Sequence, residues 1–514
     1  MEFPILSALT YLPLVGALII LFIPRDSHEA IKATATSTSA LCLALAILAW
    51  LAFDNGAGGF QLEERAEWIP QIGVSYHMGV DGISMPMVFL TCLVSLVSIA
   101  YSWIINERVK EYFALFLLLQ TACVGVFVAL DFFLFYIFWE ISLVPLYFII
   151  GAWGGPNREY AAIKFFLYTL VGSVLMLLAI VILYFASGVT PADRTFDIVE
   201  MIERQPTAAL APGLAMAVFV GFFVAFAIKV PCFPFHTWLP DAHVEAPTAG
   251  SVILAGILLK LGSYGMIRIN MPLMPEQWAL AAPWIGILAI ISIIYGSLAA
   301  MAQSDLKKLI AYSSIGHMGF VTLGLAAMNV QGISGAVMQM FSHGLITSCL
   351  FLLVGVVYER AHIREIDGFG GLGKITPRYF GVFIFVALAA LGLPALSGFV
   401  AELYVLLGAY ASGTMNEVSA EGLAVLGTPW FAYLAILGIV LTAAYMLWTV
   451  QRVFMGERNE KWANMPDINP LELACLAPLM ALTLLVGCYP APLLKPIATA
   501  SMDILAGAMG TQLR

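Results

Sequence analysis

The sequence predicts an all-α polytopic membrane protein of about fourteen transmembrane helices, arranged as two inverted five-helix repeats (spans 4–8 and 9–13) with spans 7 and 12 broken. Composition is the first observation behind this. Of 514 residues, 61% are hydrophobic and 11% charged, with a mean hydropathy of +0.94. A soluble domain has no interior large enough for that much apolar surface. The second observation is a series of apolar runs, each near the roughly 20 residues a helix needs to cross the hydrocarbon core. The third is the placing of the cations between those runs.

In chain order the runs cover residues 3–23, 33–53, 80–104, 112–130, 132–153, 163–188, 208–230, 246–268, 279–302, 309–328, 333–358, 379–410, 428–450 and 471–490. The first lacks the basic start and small-residue cleavage site of a signal peptide and reads as a retained helix. Runs 4 and 5 are separated only by Leu130 and Asp131, a tight turn. The longest hydrophilic loop, Asp54 to Met78, has too few apolar residues to fold alone.

Run 7 ends at Lys229 and is followed by Pro231, Pro234, Pro240 and Pro247. A proline has no N–H to donate, and its ring crowds the carbonyl four residues back, so Pro231 and Pro234 free the carbonyls of Ala227 and Val230. Freed backbone at membrane depth survives only inside protein or beside a wet cavity. Run 12 is interrupted by LGLPALSGF, residues 391–399. The two breaks stand five spans apart, and an odd separation reverses the chain's direction in the membrane, as an inverted repeat requires. The single membrane domain then divides into residues 1–110 (spans 1–3), 111–270 (the first repeat), 271–455 (the second) and 456–514 (span 14 and a C-terminal tail).

Cations alternate from loop to loop. Arg25, Lys32, Arg108, Lys110, Arg158, Lys164, Lys307, Lys308, Arg360, Arg364, Lys374, Arg378, Arg452, Arg458 and Lys461 fall on one side; Arg65, Arg194, Arg204, Arg268, Lys495 and Arg514 fall on the other. Fifteen against six, without a slip in the alternation, supports fourteen spans with both termini on the cation-poor, outer face of the membrane. The net charge of −9, with no basic cluster, excludes a nucleic-acid partner. The seven cysteines are scattered at 42, 92, 123, 232, 349, 475 and 488 with no CxxC pair, which argues against disulfides, zinc and iron–sulfur clusters.

The exceptions to hydrophobicity within the runs carry the functional signal. Span 5 holds Glu140, span 7 ends in Lys229, span 8 holds Lys260, and spans 10, 11 and 12 hold His317, His343 and Glu402. A charge at the bilayer centre costs about 2.5–3.5 kcal/mol even on a lenient scale, so several in one chain imply mutual compensation or a hydrated interior. Lysine, carboxylate and imidazole all exchange protons, and an ion pair that opens and closes changes how tightly each partner holds its proton. Glu140 with Lys229 forms a candidate switch, and Lys260, His317, His343 and Glu402 form stations of a proton path. Plainer readings stand beside these. Glu140 is then a structural helix-to-helix partner, Lys229 and Lys260 snorkel to the interface, and His317 and His343 are hydrogen-bonded core residues. His236 and His243, at the span 7 break, are six residues apart and off metal-ligand spacing, so they read as structural. Lys307 and Lys308 read as anchors at the cation-rich face, and Asp81, Asp131, Asp241 and Glu245 as caps or loop contacts.

The runs WEISLVPLYFIIGAWGG, YAAIKFFLYTLVGS, FAIKVPCFPFHTWLPDAHVEAPTAGSVILAGILLKLGSYG and DLKKLIAYSSIGHMGF resemble the antiporter-like subunits of respiratory complex I over nearly the whole chain. The distal member of that family carries a long lateral helix after its core, whereas only residues 491–514 follow span 14 here. The resemblance implies a proton-translocating unit of a large membrane arm. In it, Glu140 and Lys229 are the ion pair, Lys260 the central lysine of span 8, His317 and His343 the histidines of spans 10 and 11 and Glu402 the span 12 glutamate. It implies no cofactor in this chain: FMN, iron–sulfur clusters, NADH and ubiquinone belong to partner subunits, and two further antiporter-like subunits are neighbours in the bilayer. The alternative is a subunit of a multi-subunit sodium/proton antiporter, whose relatives share the span 7 pattern. A structural scaffold with no ion path is a third reading.

Overall fold

The computed structural model describes residues 3–414 and 427–512. Among them, thirteen helices are long and apolar enough to cross a membrane: Ile5–Phe22, His28–Ala52, Ser84–Ile104, Val109–Val128, Phe132–Trp153, Arg158–Ala186, Pro212–Lys229, Thr248–Leu273, Pro275–Met301, Leu306–Ala326, Val330–Ala361, Trp430–Phe454 and Pro470–Cys488. Span 12 is the fourteenth and comes in two pieces, Pro377–Ala390 and Ser397–Thr414. Every expected run is a helix, in the expected order.

Burial separates the spans into a centre and a periphery. The apolar windows of spans 8 and 11 are wholly buried and that of span 10 is 94% buried, whereas spans 2, 13 and 14 each bury only 33%. Spans 8, 10 and 11 therefore form the middle of the bundle. They are the spans that carry Lys260, His317 and His343, so those side chains are enclosed by protein and snorkelling of Lys260 is ruled out: it is 0% exposed.

Both breaks form where prolines and glycines demand them. Span 7 stops at Lys229, and the chain resumes as a short helix, Trp238–Glu245, before span 8. The carbonyls exposed by the break find other donors. Ala227 O accepts from Cys232 N at 2.9 Å, and Ile228 O accepts from Trp238 Nε1 at 2.9 Å. In span 12, Gly392 at the break has φ +77°. A Cβ there would lie 3.0 Å from Glu402 Oε2, so glycine meets both a backbone and a space requirement.

The long loop and the tail carry secondary structure of their own. Residues 54–78 do not stay irregular: β1 (Gln61–Ile69) and β2 (Val74–Val80) pair antiparallel. In keeping with its few apolar residues, the hairpin does not stand alone. His77 O accepts from Leu130 N, and the bridge Asp131–Asp197 ties the turn before span 5 to the stretch after span 6. The tail forms a further helix, Ala491–Gln512.

Several charges counted as loop anchors lie inside. Arg268 belongs to span 8, is 3% exposed, and pairs with Asp81 at 2.6 Å. Lys164 belongs to span 6 and pairs with Asp241 at 2.6 Å. Lys307, 8% exposed, donates to the carbonyls of Val244 and Ala246. Asp81 and Asp131 cap as expected: Asp81 accepts from Ile83 N and Ser84 N, and Asp131 from Phe133 N and Leu134 N. Burial works against the Asp81 carboxylate, but the Arg268 guanidinium and the two backbone donors hold it below the usual carboxylate range.

Candidate proton path

Span 8 supplies the centre. It is not a uniform α-helix: Leu254–Leu258 and Met266–Asn270 are π-helical turns on either side of Lys260. Wide turns of this kind occur within α-helices, frequently at functional sites. Here the carbonyl of Ala255, five residues back, accepts from Lys260 Nζ. Gly262 lets the same helix press on the end of span 7; a Cβ there would sit 2.6 Å from Phe226 O and 2.9 Å from Val230 N.

Lys260 Nζ reaches across to span 11 and lies 2.7 Å from His343 Nδ1. The His343 and His317 ring centroids are 5.7 Å apart. His317 Nδ1 lies 3.3 Å from Glu402 Oε1 on span 12. His317, His343 and Glu402 line a cavity of ≈ 10 Å³ with Gln339, Ser342, Ser313 and Thr347, about the space one water requires. Four of the six expected residues thus form one buried file from span 8 to span 12. Lys260 has no carboxylate within 4 Å among the described residues.

Glu140 and Lys229 are neighbours, but they are not in contact. Span 5 is jointed at Ser142, between Phe132–Ile141 and Leu143–Trp153. The Lys229 ammonium docks at that joint. Nζ donates to Ser142 Oγ at 3.1 Å and stands 3.6 Å over the Trp139 ring. Trp139 is fixed in turn by donating Nε1 to Ser173 Oγ at 3.0 Å. Glu140, between the two residues that hold Lys229, makes no ion pair within 4 Å among the described residues. Its Oε1 is buried without a hydrogen-bond partner. A lysine held by an aromatic face and a hydroxyl thus stands near a carboxylate with which it makes no direct ion pair.

The residue reading missed four groups in this region: Trp139, Ser142, Gln339 and the carbonyl of Ala255. Gln339 was findable, because it precedes His343 by four residues and so shares its helix face. His236 and His243 lie outside the file. His236 packs on Phe233 and Tyr295, and His243 stacks on Phe351 at 4.4 Å with neither ring nitrogen hydrogen-bonded. Among the described residues no three His, Cys, Asp or Glu converge as metal ligands.

Fold and site together define a class: a polytopic helical membrane protein with broken spans and a buried file of titratable side chains. A family model described as "NADH:quinone oxidoreductase/Mrp antiporter, TM" matches residues 129–427. The NADH-quinone oxidoreductase subunit M of Rhodobacter capsulatus is 44% identical over 500 residues, covering 95% of this chain and 93% of the relative. The chain belongs to this NADH:quinone oxidoreductase/Mrp antiporter transmembrane family. A chain of respiratory complex I from Thermus thermophilus superposes with a TM-score of 0.85 at 31% identity, over 97% of this chain and 99% of that one. A chain of the Mrp complex from Dietzia superposes with a TM-score of 0.84 over 100% of this chain and 99% of that one; at 21% identity this is a likeness of fold alone.

Proposed function

We propose that this chain is a proton-translocating subunit of the membrane arm of a respiratory NADH:quinone oxidoreductase, lying in a bacterial inner membrane with both termini on the periplasmic side. NADH, FMN, iron–sulfur clusters and ubiquinone belong in this reading to partner subunits, and two further antiporter-like subunits lie beside it. The two five-span repeats each contribute one broken span, and the path runs between them.

The observation that carries the reading is the file Lys260–His343–His317–Glu402. At 2.7 Å, the Lys260 ammonium hands a proton to His343 Nδ1 without rearrangement. The small cavity, with room for about one water, lies between His343 and His317, and His317 Nδ1 delivers to Glu402. Lys229 supplies control. When its ammonium leaves the Trp139 face for Glu140, the pair closes and the local charge seen by its neighbours changes. Redox events in partner subunits bias that movement, and coupling of this kind is reciprocal.

The test is purification of the intact complex with Lys229→Ala. Flavin and iron–sulfur absorbance co-purify, assembly is normal, and NADH-driven proton uptake by vesicles is strongly reduced. Undiminished pumping in the assembled variant refutes the reading in favour of a scaffold. A complex that carries no redox centres refutes it in favour of a free-standing antiporter.

A further inference from the structure

His317 Nδ1 has two neighbours competing for one position. Glu402 Oε1 lies at 3.3 Å and Gln339 Nε2 at 3.4 Å. A ring nitrogen carries either a proton or a lone pair. With the proton, Nδ1 faces Glu402 at ion-pair distance and donates to it after a small turn of the ring, and a Gln339 N–H aimed at it is unmatched. With the lone pair, Nδ1 accepts from Gln339 Nε2, and Glu402 is released. The other end of the same amide is idle: Gln339 Oε1 is buried without a hydrogen-bond partner. A carboxamide turned end for end keeps its shape and exchanges donor for acceptor. Gln339 is 2% exposed, and it is the one amide side chain lining this cavity among the described residues.

We propose that Gln339 is a positioning residue that fixes the direction of proton transfer from His317 to Glu402, by supplying a donor to His317 Nδ1 as soon as its proton has left. This rests on the proton path proposed above. The step balances. The Nδ1–H bond breaks and an O–H bond forms on Glu402; imidazolium becomes neutral imidazole, and carboxylate becomes carboxylic acid. The vacated lone pair accepts from Gln339 Nε2, so return of the proton must first displace the amide. When His317 is reloaded, the amide turns and Oε1 accepts from Nδ1–H. The titratable groups directly beside His317 are His343 on span 11 and Glu402 on span 12; Lys260 on span 8 touches His343, and Tyr445 on span 13 lies toward Glu402. Among the described residues, Gln339 is the group within hydrogen-bond reach of Nδ1 that offers both a donor and an acceptor without titrating.

The experiment uses the intact complex in vesicles, with pumping measured across a pH series for Gln339→Met and Gln339→Glu. Methionine keeps the length and removes both donor and acceptor; the expected loss is about tenfold at neutral pH, the effect of one such hydrogen bond on a barrier. Glutamate keeps the shape. Ionised, it only accepts; protonated, it both donates and accepts, so its pumping recovers toward wild type as pH falls while the methionine variant stays low. A purely spatial role would not separate the two profiles. If Gln339→Met pumps with the wild-type rate and profile while Lys229→Ala does not pump, this inference fails and the proton path stands. If both pump normally, the path itself fails.

Discussion

Lys260→Met separates proton transfer from folding at the centre of the protein. The side chain is fully enclosed, and its ammonium is held by the Ala255 carbonyl and by His343 Nδ1 at 2.7 Å, with no carboxylate within 4 Å among the described residues. A hydrogen bond to a charged group is worth about 1.5–3 kcal/mol. Each 1.36 kcal/mol or so on a barrier is a factor of about ten in rate. Removing the donor that faces His343 therefore slows transfer about 10–100-fold. Stability moves the other way. A buried ammonium without a counter-charge is costly to desolvate, and a well-packed apolar replacement for buried charge is commonly neutral or stabilising by about 1–4 kcal/mol. The complex assembles, resists thermal denaturation at least as well as wild type, and pumps about 10–100-fold more slowly. The assay is NADH-driven acidification of inverted vesicles, alongside a thermal melt of the purified complex. A variant that pumps at the wild-type rate, or one that fails to assemble, refutes the reasoning.

Three further outcomes follow from the geometry. Gly392→Ala places a Cβ at positive φ and 3.0 Å from Glu402 Oε2; a loss of about 1–3 kcal/mol in stability and reduced pumping are expected, read by melt and by vesicle assay. Asp81→Leu strands the buried Arg268 and costs about 3–5 kcal/mol, whereas adding Arg268→Met recovers most of the loss; expression and melting of the single and double variants show it. The hairpin knot is pH-sensitive on the exposed side of the bundle. Burial works against a proton on His77, but Asp197 at 2.7 Å and Glu63 at 3.1 Å hold the imidazole above its ordinary value. Burial likewise opposes ionisation of Asp197, yet His77 and a helix N-terminus hold its carboxyl below the usual range. His77 thus contributes stability that is complete below its unfolded value and is lost as pH rises through its raised folded value. Asp197 contributes stability that is lost as pH falls through its depressed one. Hydrogen-exchange protection of residues 61–80, taken relative to the intrinsic rate at each pH, is greatest between those limits and falls on both sides.

The spans were legible because membrane helices are written as long apolar runs, and both breaks because LGLPALSGF and the Pro231–Pro234 pair cannot continue a helix. The six site residues stood out for the same reason: charge in an apolar run has few other uses. What sequence does not carry is distance. The order Lys260, His343, His317, Glu402 depends on how spans 8, 10, 11 and 12 pack, and the separation of Glu140 from Lys229 depends on where one flexible side chain rests. Arg268 looked like a loop cation because its partner Asp81 lies nearly two hundred residues earlier. The hairpin was hidden because its strands satisfy their backbone partly through Leu130 and the Asp131–Asp197 bridge, far away in the chain.

Arrival of a proton on Glu402 is the event on which the account turns, and infrared difference spectroscopy of the complex during NADH-driven turnover observes it. The account predicts a protonated-carboxyl C=O band that rises in turnover, shifts on exchange into heavy water, and disappears in Glu402→Gln. A spectrum in which that variant and the wild type carry the same carboxyl bands, with pumping intact in both, contradicts it.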